Sequence, residues 1–128
     1  AGTNQTITNS YALWVDAGNV RFDGALVGTI SAPAYSSTTT LDFSTSSNFH
    51  ITLSGSITLA NPSNLAAGQS GDIIISTNGT SRTISFGSYF KFEGGVSPTM
   101  SITNTIDIIS YFVLNTTTII TSYASDFR

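Results

Sequence analysis

Apolar side chains in this chain recur at every second position and almost nowhere at every third or fourth. Phe49, Ile51 and Leu53 alternate with His50, Thr52 and Ser54. Ile84 and Phe86 alternate with Thr83 and Ser85, and Phe90 and Phe92 with Tyr89, Lys91 and Glu93. Alternation puts neighbouring side chains on opposite faces of a strand, whereas a helix needs an apolar stripe near i, i+3, i+4 and i+7. The residues carrying the pattern are Thr, Ile, Val, Phe and Tyr, whose branched or ring-bearing side chains suit a pleated surface. Asn61-Pro62, Asn78-Gly79, Gly87-Ser88 and Gly94-Gly95 fall between the runs as turns. The pattern predicts an all-β fold of many short strands, an antiparallel β-sandwich of jelly-roll-like kind. Asn78-Gly79 predicts a hairpin joining Ile73–Ile75 to Ile84–Phe86, because both turn residues tolerate positive φ.

One run breaks the alternation. Ile106 to Leu114 (IDIISYFVL) is apolar on both sides, with Ile106, Ile108, Phe112 and Leu114 on one and Ile109, Tyr111 and Val113 on the other. A strand apolar on both faces needs cover on both. A two-sheet sandwich covers one, so the side bearing Ile109, Tyr111 and Val113 is a candidate subunit interface, or else a loop of the same chain lies over it. The interface reading predicts that Tyr111→Lys or Val113→Lys weakens assembly more than folding.

The chain divides near Ala34. Residues 1–33 read as an extended N-terminal β segment in which Tyr11 to Leu26 (YALWVDAGNVRFDGAL) forms a hairpin-like unit around Asp16-Ala17-Gly18-Asn19. Residues 34–128 read as the sandwich domain. No sequence repeat of 20–50 residues is visible.

Charge is scarce. Asp, Glu, Lys and Arg make up 9% of the 128 residues, against roughly 25% in an ordinary soluble domain. The 20 Ser, 20 Thr, 9 Asn and 2 Gln supply the polarity instead. A net charge of −3 leaves no basic footprint for nucleic acid. No apolar run reaches the ~18 residues that span a membrane as a helix. With no Cys, disulfides, thiolate metal sites and CxxC redox chemistry are excluded. Weak self-repulsion favours packing against like neighbours.

Candidate chemistry is thin. His50 is the only histidine, and it stands in an alternating strand opposite Phe49 and Ile51, with no G-x-S-x-G around any serine. Glu93 is the only glutamate, and Asp16, Asp23, Asp72 and Asp126 sit at turns or chain ends, where Asp bonds to local backbone. No pair of acids marks a glycosidase, no ligand spacing marks a metal, and no cofactor motif is present. The most individual cluster is Gly87 to Gly95 (GSYFKFEGG). Tyr89, Lys91 and Glu93 are candidates for contact with a glycan or partner, rings against the apolar sugar face and charged tips on hydroxyls. The plainer reading is a strand with Phe90 and Phe92 inside and those three outside. Trp14 divides the same way between ligand contact and packing.

These residues also carry a resemblance. Ile57 onward reads ITLANPSNLAAGQSGDIIISTNGTSRTISFGSYFKFEGG, then SPTMSITNTIDIISYFVLNTTTIITSYASDFR. It resembles the C-terminal module of tailed-bacteriophage virion proteins, notably tail fibres and related appendages. The shared elements are T-L-A-N-P with L-x-A-G-Q-S-G, the aromatic G-S-Y-F-K-F-x-G-G, and D-x-I-x-Y-x-V/L with a Thr-rich finish. Tyr11 to Leu26 is similar to short β units of fibre shafts. The resemblance implies a non-enzymatic structural component of the virion, usually homotrimeric, in contact with other virion proteins at or near a fibre tip. Attachment to a bacterial surface glycan or protein is the role expected there. A capsid decoration, head-fibre or tail-wall protein with a purely structural role is the alternative.

Overall fold

The structure, a computed structural model, describes residues 13–128. Nine strands and no α-helix occur among them. The fold is all-β and is built from two sheets around one hydrophobic core. The strands are β1 (Ile30–Ser31), β2 (Thr38–Thr39), β3 (Asn48–Thr52), β4 (Ile57–Leu59), β5 (Ser70–Ser76), β6 (Ile84–Phe86), β7 (Phe90–Lys91), β8 (Ile106–Asn115) and β9 (Thr118–Phe127). The larger sheet has the order β1-β3-β5-β8-β9-β7, and the smaller β2-β4-β6.

From β1 to β7 the chain changes sheet at every connection, and each strand up to β6 lies parallel to the one a circuit earlier. Phe49 stands beside Ile73 in the first sheet, and Ile57 beside Ile84 in the second. One circuit takes roughly 18–27 residues, in the manner of a short parallel coil. The long hairpin of β8 and β9 then enters the larger sheet. β8 runs antiparallel to β5 and to β9, while β7 pairs with β9 in parallel.

This corrects the expected antiparallel pairing. Antiparallel pairing is confined to β5–β8–β9, the smaller sheet is wholly parallel, and the larger is mixed. Asn78-Gly79 is not a hairpin turn, because the strands on either side belong to different sheets. Gly79 takes the positive φ of 81° that the dipeptide suits, but the chain goes on to cross the core instead of doubling back. In the N-terminal segment, Tyr11 and Ala12 lie outside the described residues, and Leu13 to Leu26 form no strand. Gly18 does turn, at φ 91°, yet its flanks find no sheet face, and a lone two-stranded hairpin is marginal in water. β1 precedes the expected boundary at residue 34 and is hydrogen-bonded to β3.

The core gathers the inward positions of both sheets. Phe49, Ile51, Ile73, Ile75, Ile109, Val113 and Ile119 face Ile57, Leu59 and Ile84, with Leu41, Phe43 and Leu53 from the connections. Each such side chain, fully buried, contributes about 1.5–3 kcal/mol. Phe43 stacks on Phe49 at 5.1 Å and meets the Tyr111 ring at 4.8 Å.

The motifs quoted above hold the circuits together. Gln69 donates its amide to the carbonyls of Phe43 and Ser46, at 3.0 and 3.1 Å. The Tyr111 hydroxyl donates to the Ser47 carbonyl at 2.7 Å, directly over Gly71. A Cβ on Gly71 would lie 1.8 Å from that oxygen, so only glycine lets the turn close onto the sheet. Asn61, from the L-A-N-P run, accepts the Tyr89 N–H at 2.9 Å and so fixes the turn before β7.

Candidate functional site

β8 decides which surfaces are left over. Its odd-numbered residues point inward: Asp107, Ile109, Tyr111 and Val113 are all buried. This corrects the expected subunit interface. Ile109, Tyr111 and Val113 are core, packed beneath the smaller sheet and the connections. The other side of the same strand is open, with Ile106, Phe112 and Leu114 exposed and Ile108 half-buried. Register extends this face across β9, where Phe112 opposes Ile120, Ile108 opposes Ala124 and Ile106 opposes Phe127. Directly opposed side chains lie roughly 5 Å apart and form one surface. Ile120 and Phe127 are exposed as well. No charged residue occurs from 108 to 125, so β8 and β9 bring no charge to the middle of this face, where Ser110 opposes Ser122 and donates to the Asp72 carboxylate on β5 at 2.6 Å.

The segment from Leu13 to Ile30 is a second apolar surface. Leu13, Trp14, Val15, Val20, Phe22, Leu26, Val27 and Ile30 are exposed, Val27 to 86%. A charge pair between Arg21 and Asp23, 2.5 Å apart, lies among them.

A groove adjoins β9 because β7 stops after two residues. The Ile119 N–H bonds to the Tyr89 carbonyl, and alternation points the peptide groups of Tyr123 the same way, beyond the end of β7. Past Lys91 the chain leaves β9 through a turn at Glu93-Gly94-Gly95, with Gly94 and Gly95 at φ 65° and 74°. It then returns through Val96 to Thr99. The space left is about 480 Å³, lined by Phe92, Glu93, Val96, Ser97, Pro98, Thr99, Thr121, Ser122 and Tyr123.

The wall of the groove is fastened by Asp107. Its carboxylate accepts the Ser101 N–H at 2.7 Å, the Tyr123 hydroxyl at 2.8 Å and the Asp126 N–H at 2.9 Å. Burial works against the charge, but these donors outweigh it and hold the carboxyl below its ordinary range. The Tyr123 hydroxyl is pushed up to about 12 by burial first and by its hydrogen bond to Asp107 and that carboxylate's charge. One buried aspartate thus ties the 96–105 segment and the end of β9 to β8.

Of the four residues singled out for ligand contact, only Glu93 lines the groove. Its carboxylate makes no hydrogen bond or ion pair among the described residues. Tyr89 is half-buried against the core, and Lys91 turns its ammonium back onto the Ser88 carbonyl at 2.6 Å. Trp14 is exposed in the N-terminal segment and is not among the groove's lining residues. Asp107 and Tyr123 were not picked out in the sequence. The signal was there: an aspartate on the same side of a strand as Ile109, Tyr111 and Val113 must be buried and fully bonded.

His50 Nε2 lies 2.7 Å from Ser76 Oγ on the outer side of the larger sheet. A base and a nucleophile would meet at that distance. Here no acid among the described residues orients the ring, and neither residue lines the groove beside β9. The pair reads as a cross-strand hydrogen bond. Among the described residues no three His, Asp or Glu side chains gather as metal ligands, and no helix is long and apolar enough to cross a membrane. Comparison with known proteins gives no match to a family model, to a curated protein or to a solved structure.

Proposed function

We propose that the protein is a structural component of a bacteriophage virion, an appendage tip domain that trimerises and contributes to attachment at the host surface. The observation that carries this reading is the neutral apolar face of β8 and β9, bearing Ile106, Phe112, Leu114, Ile120 and Phe127. Contiguous exposed apolar surface on a small chain marks a place where another molecule sits. Identical copies can share it, because the exposed apolar residues of β8 and β9 carry no charge, and Asp72 at the margin is engaged by Ser110. In this reading three subunits turn the face toward a common axis. The exposed segment from Leu13 to Ile30 reaches along a neighbouring subunit or toward the rest of the particle. The resemblance of the L-A-G-Q-S-G, G-S-Y-F-K-F and D-x-I-x-Y runs to virion appendage modules supports the same assignment. So does a scaffold whose buried aspartate and two-sheet core leave a preformed groove at one edge.

Sedimentation equilibrium of the purified chain tests the assembly. A mass three times that of the 13.4 kDa chain is expected. A monomer at high concentration overturns the trimer. Imaging of particles labelled through an antibody to the chain tests the placement. Label at the end of an appendage supports a tip, whereas label over the shell or along the tail favours the decoration or tail-wall reading.

A further inference from the structure

We propose that the groove between the Phe92–Thr99 segment and β9 is a subsite for an uncharged sugar ring, with Glu93 as its principal hydrogen-bonding group. This rests on the attachment role proposed above and gives that role a location and a ligand class. The groove's volume, about 480 Å³, falls within the usual range for small-ligand pockets, roughly 300–1,000 Å³. Its walls divide as a sugar would require. Phe92, Val96 and Pro98 present apolar surface for the C–H face of a pyranose. Ser97, Thr99 and Ser122 present hydroxyls that both donate and accept.

Glu93 completes the set. An ionised carboxylate only accepts, and it can take two adjacent hydroxyl groups at once. This one spends none of that capacity among the described residues. The chain uses two consecutive left-handed glycines, Gly94 and Gly95, to turn at this point. A side chain at either would be strained in that conformation.

The same residues set the charge of the ligand. No cation lines the groove, and the whole chain carries −3. A uronate or sialate would therefore meet an uncompensated carboxylate, whereas a neutral ring would not. The groove also binds without cutting. Glycoside hydrolysis needs two carboxyl groups flanking the bond. Asp107, the acid that fastens the groove's wall, is buried behind Tyr123 with both oxygens occupied. That occupation keeps Tyr123 and the 96–105 segment in place before any ligand arrives, so little ordering remains to be done on binding.

Amide chemical-shift mapping on the full chain tests the proposal. The probes are neutral trisaccharides of gluco, galacto, manno and N-acetylglucosamine configuration, with trigalacturonate as the anionic control. At least one neutral probe is expected to shift Phe92, Ser97 and Tyr123 together, and trigalacturonate is expected to leave them unmoved. Glu93→Gln keeps the shape and removes the charge. It should weaken binding by about tenfold or more, the loss expected for charge-assisted hydrogen bonds, with an unchanged circular dichroism spectrum. Silence from every neutral probe, equal binding of trigalacturonate, or shifts that persist in Glu93→Gln would overturn the assignment. So would an extended peptide shifting the open edge of β9 independently of Glu93. Sedimentation of the same samples keeps the two readings separable: a trimer that binds no sugar loses only this subsite, and a monomer that binds sugar loses only the assembly.

Discussion

The two sides of β8 are made of similar residues and meet different surroundings. Inward stand Asp107, Ile109, Tyr111 and Val113, all buried; outward stand Ile106, Ile108, Ser110, Phe112 and Leu114, all exposed except Ile108. By hydropathy the outward set is still the more apolar, since its one polar member is a serine rather than an aspartate and a tyrosine. What separates the sides is specific bonding. The inner side carries two buried polar tips, and each has an address: Asp107 on Ser101, Tyr123 and Asp126, and Tyr111 on Ser47. The outer side has one such bond, from the Ser110 hydroxyl to Asp72 on β5 at 2.6 Å, and is otherwise apolar and uncharged. A side that requires particular partners builds the subunit, and one that requires only apolar cover is available to a copy.

A charge placed on each side gives the sharpest contrast. Val113→Lys puts an ammonium where the side chain is 0% exposed, with no acceptor prepared for it. The expected loss is of order 3–5 kcal/mol, enough to unfold a small domain. Circular dichroism and urea titration would read it. A folded Val113→Lys subunit that merely fails to assemble would restore Val113 to the interface and break the comparison.

Asp107→Asn comes next. It keeps the volume but trades a charged acceptor of three hydrogen bonds for an amide with one acceptor oxygen, at an expected cost of about 2–3 kcal/mol. The sign with pH follows from the carboxyl being held below its ordinary value of about 4. Below that value the unfolded chain takes up the proton first, so stability falls as the solution is acidified through the folded-state value. The variant should lack that part of the acid dependence. Identical acid-unfolding curves for the two proteins would show that Asp107 does not fasten the wall.

Tyr111→Phe probes the other polar tip at a smaller cost, about 1 kcal/mol for a hydrogen bond whose loss leaves the Ser47 carbonyl unpaired. The Tyr111 hydroxyl is pushed up to about 12 by burial first, with the charge of Asp72 adding to it. The unfolded tyrosine ionises near 10, so the unfolded chain loses its proton first and stability declines from pH 10 toward 12. Tyr111→Phe should flatten that decline in part, leaving the share due to Tyr123. An unaltered alkaline profile would mean that the Tyr111 hydroxyl is not sequestered.

These residues also show how far the sequence could be read. Period-two alternation gave the all-β class and both faces of β8, because side-chain direction in a strand is local. It did not give the parallel pairing. Ile73 pairs with Phe49, and Ile84 with Ile57, across connections of unequal length, so the circuits leave no fixed period in the chain. Nor did it give the inward side of β8, since hydropathy favours the outward set. The D-x-I-x-Y-x-V spacing held the answer, because those letters are Asp107, Ile109, Tyr111 and Val113, the inward set. The groove was half legible: Glu93 beside two glycines stood out, while Tyr123 and Thr99 reach it only through tertiary packing.

The smallest effect on folding is expected on the outer side, and it carries the assembly. Phe112 is 46% exposed and opposes Ile120, so Phe112→Lys leaves its ammonium in water and should change subunit stability by no more than about 0.5 kcal/mol. In a trimer the same substitution sets three ammonium groups near the axis. If the face is shared, the wild-type chain melts at a temperature that rises with protein concentration, because association stabilises the folded state by mass action. Phe112→Lys should melt at one temperature across a hundredfold dilution and sediment as a monomer with wild-type circular dichroism. Phe112→Leu, which keeps the face apolar, should recover the concentration dependence. A Phe112→Lys chain that still sediments as a trimer would move the contact elsewhere, and the exposed segment from Leu13 to Ile30 would then be the surface to charge next.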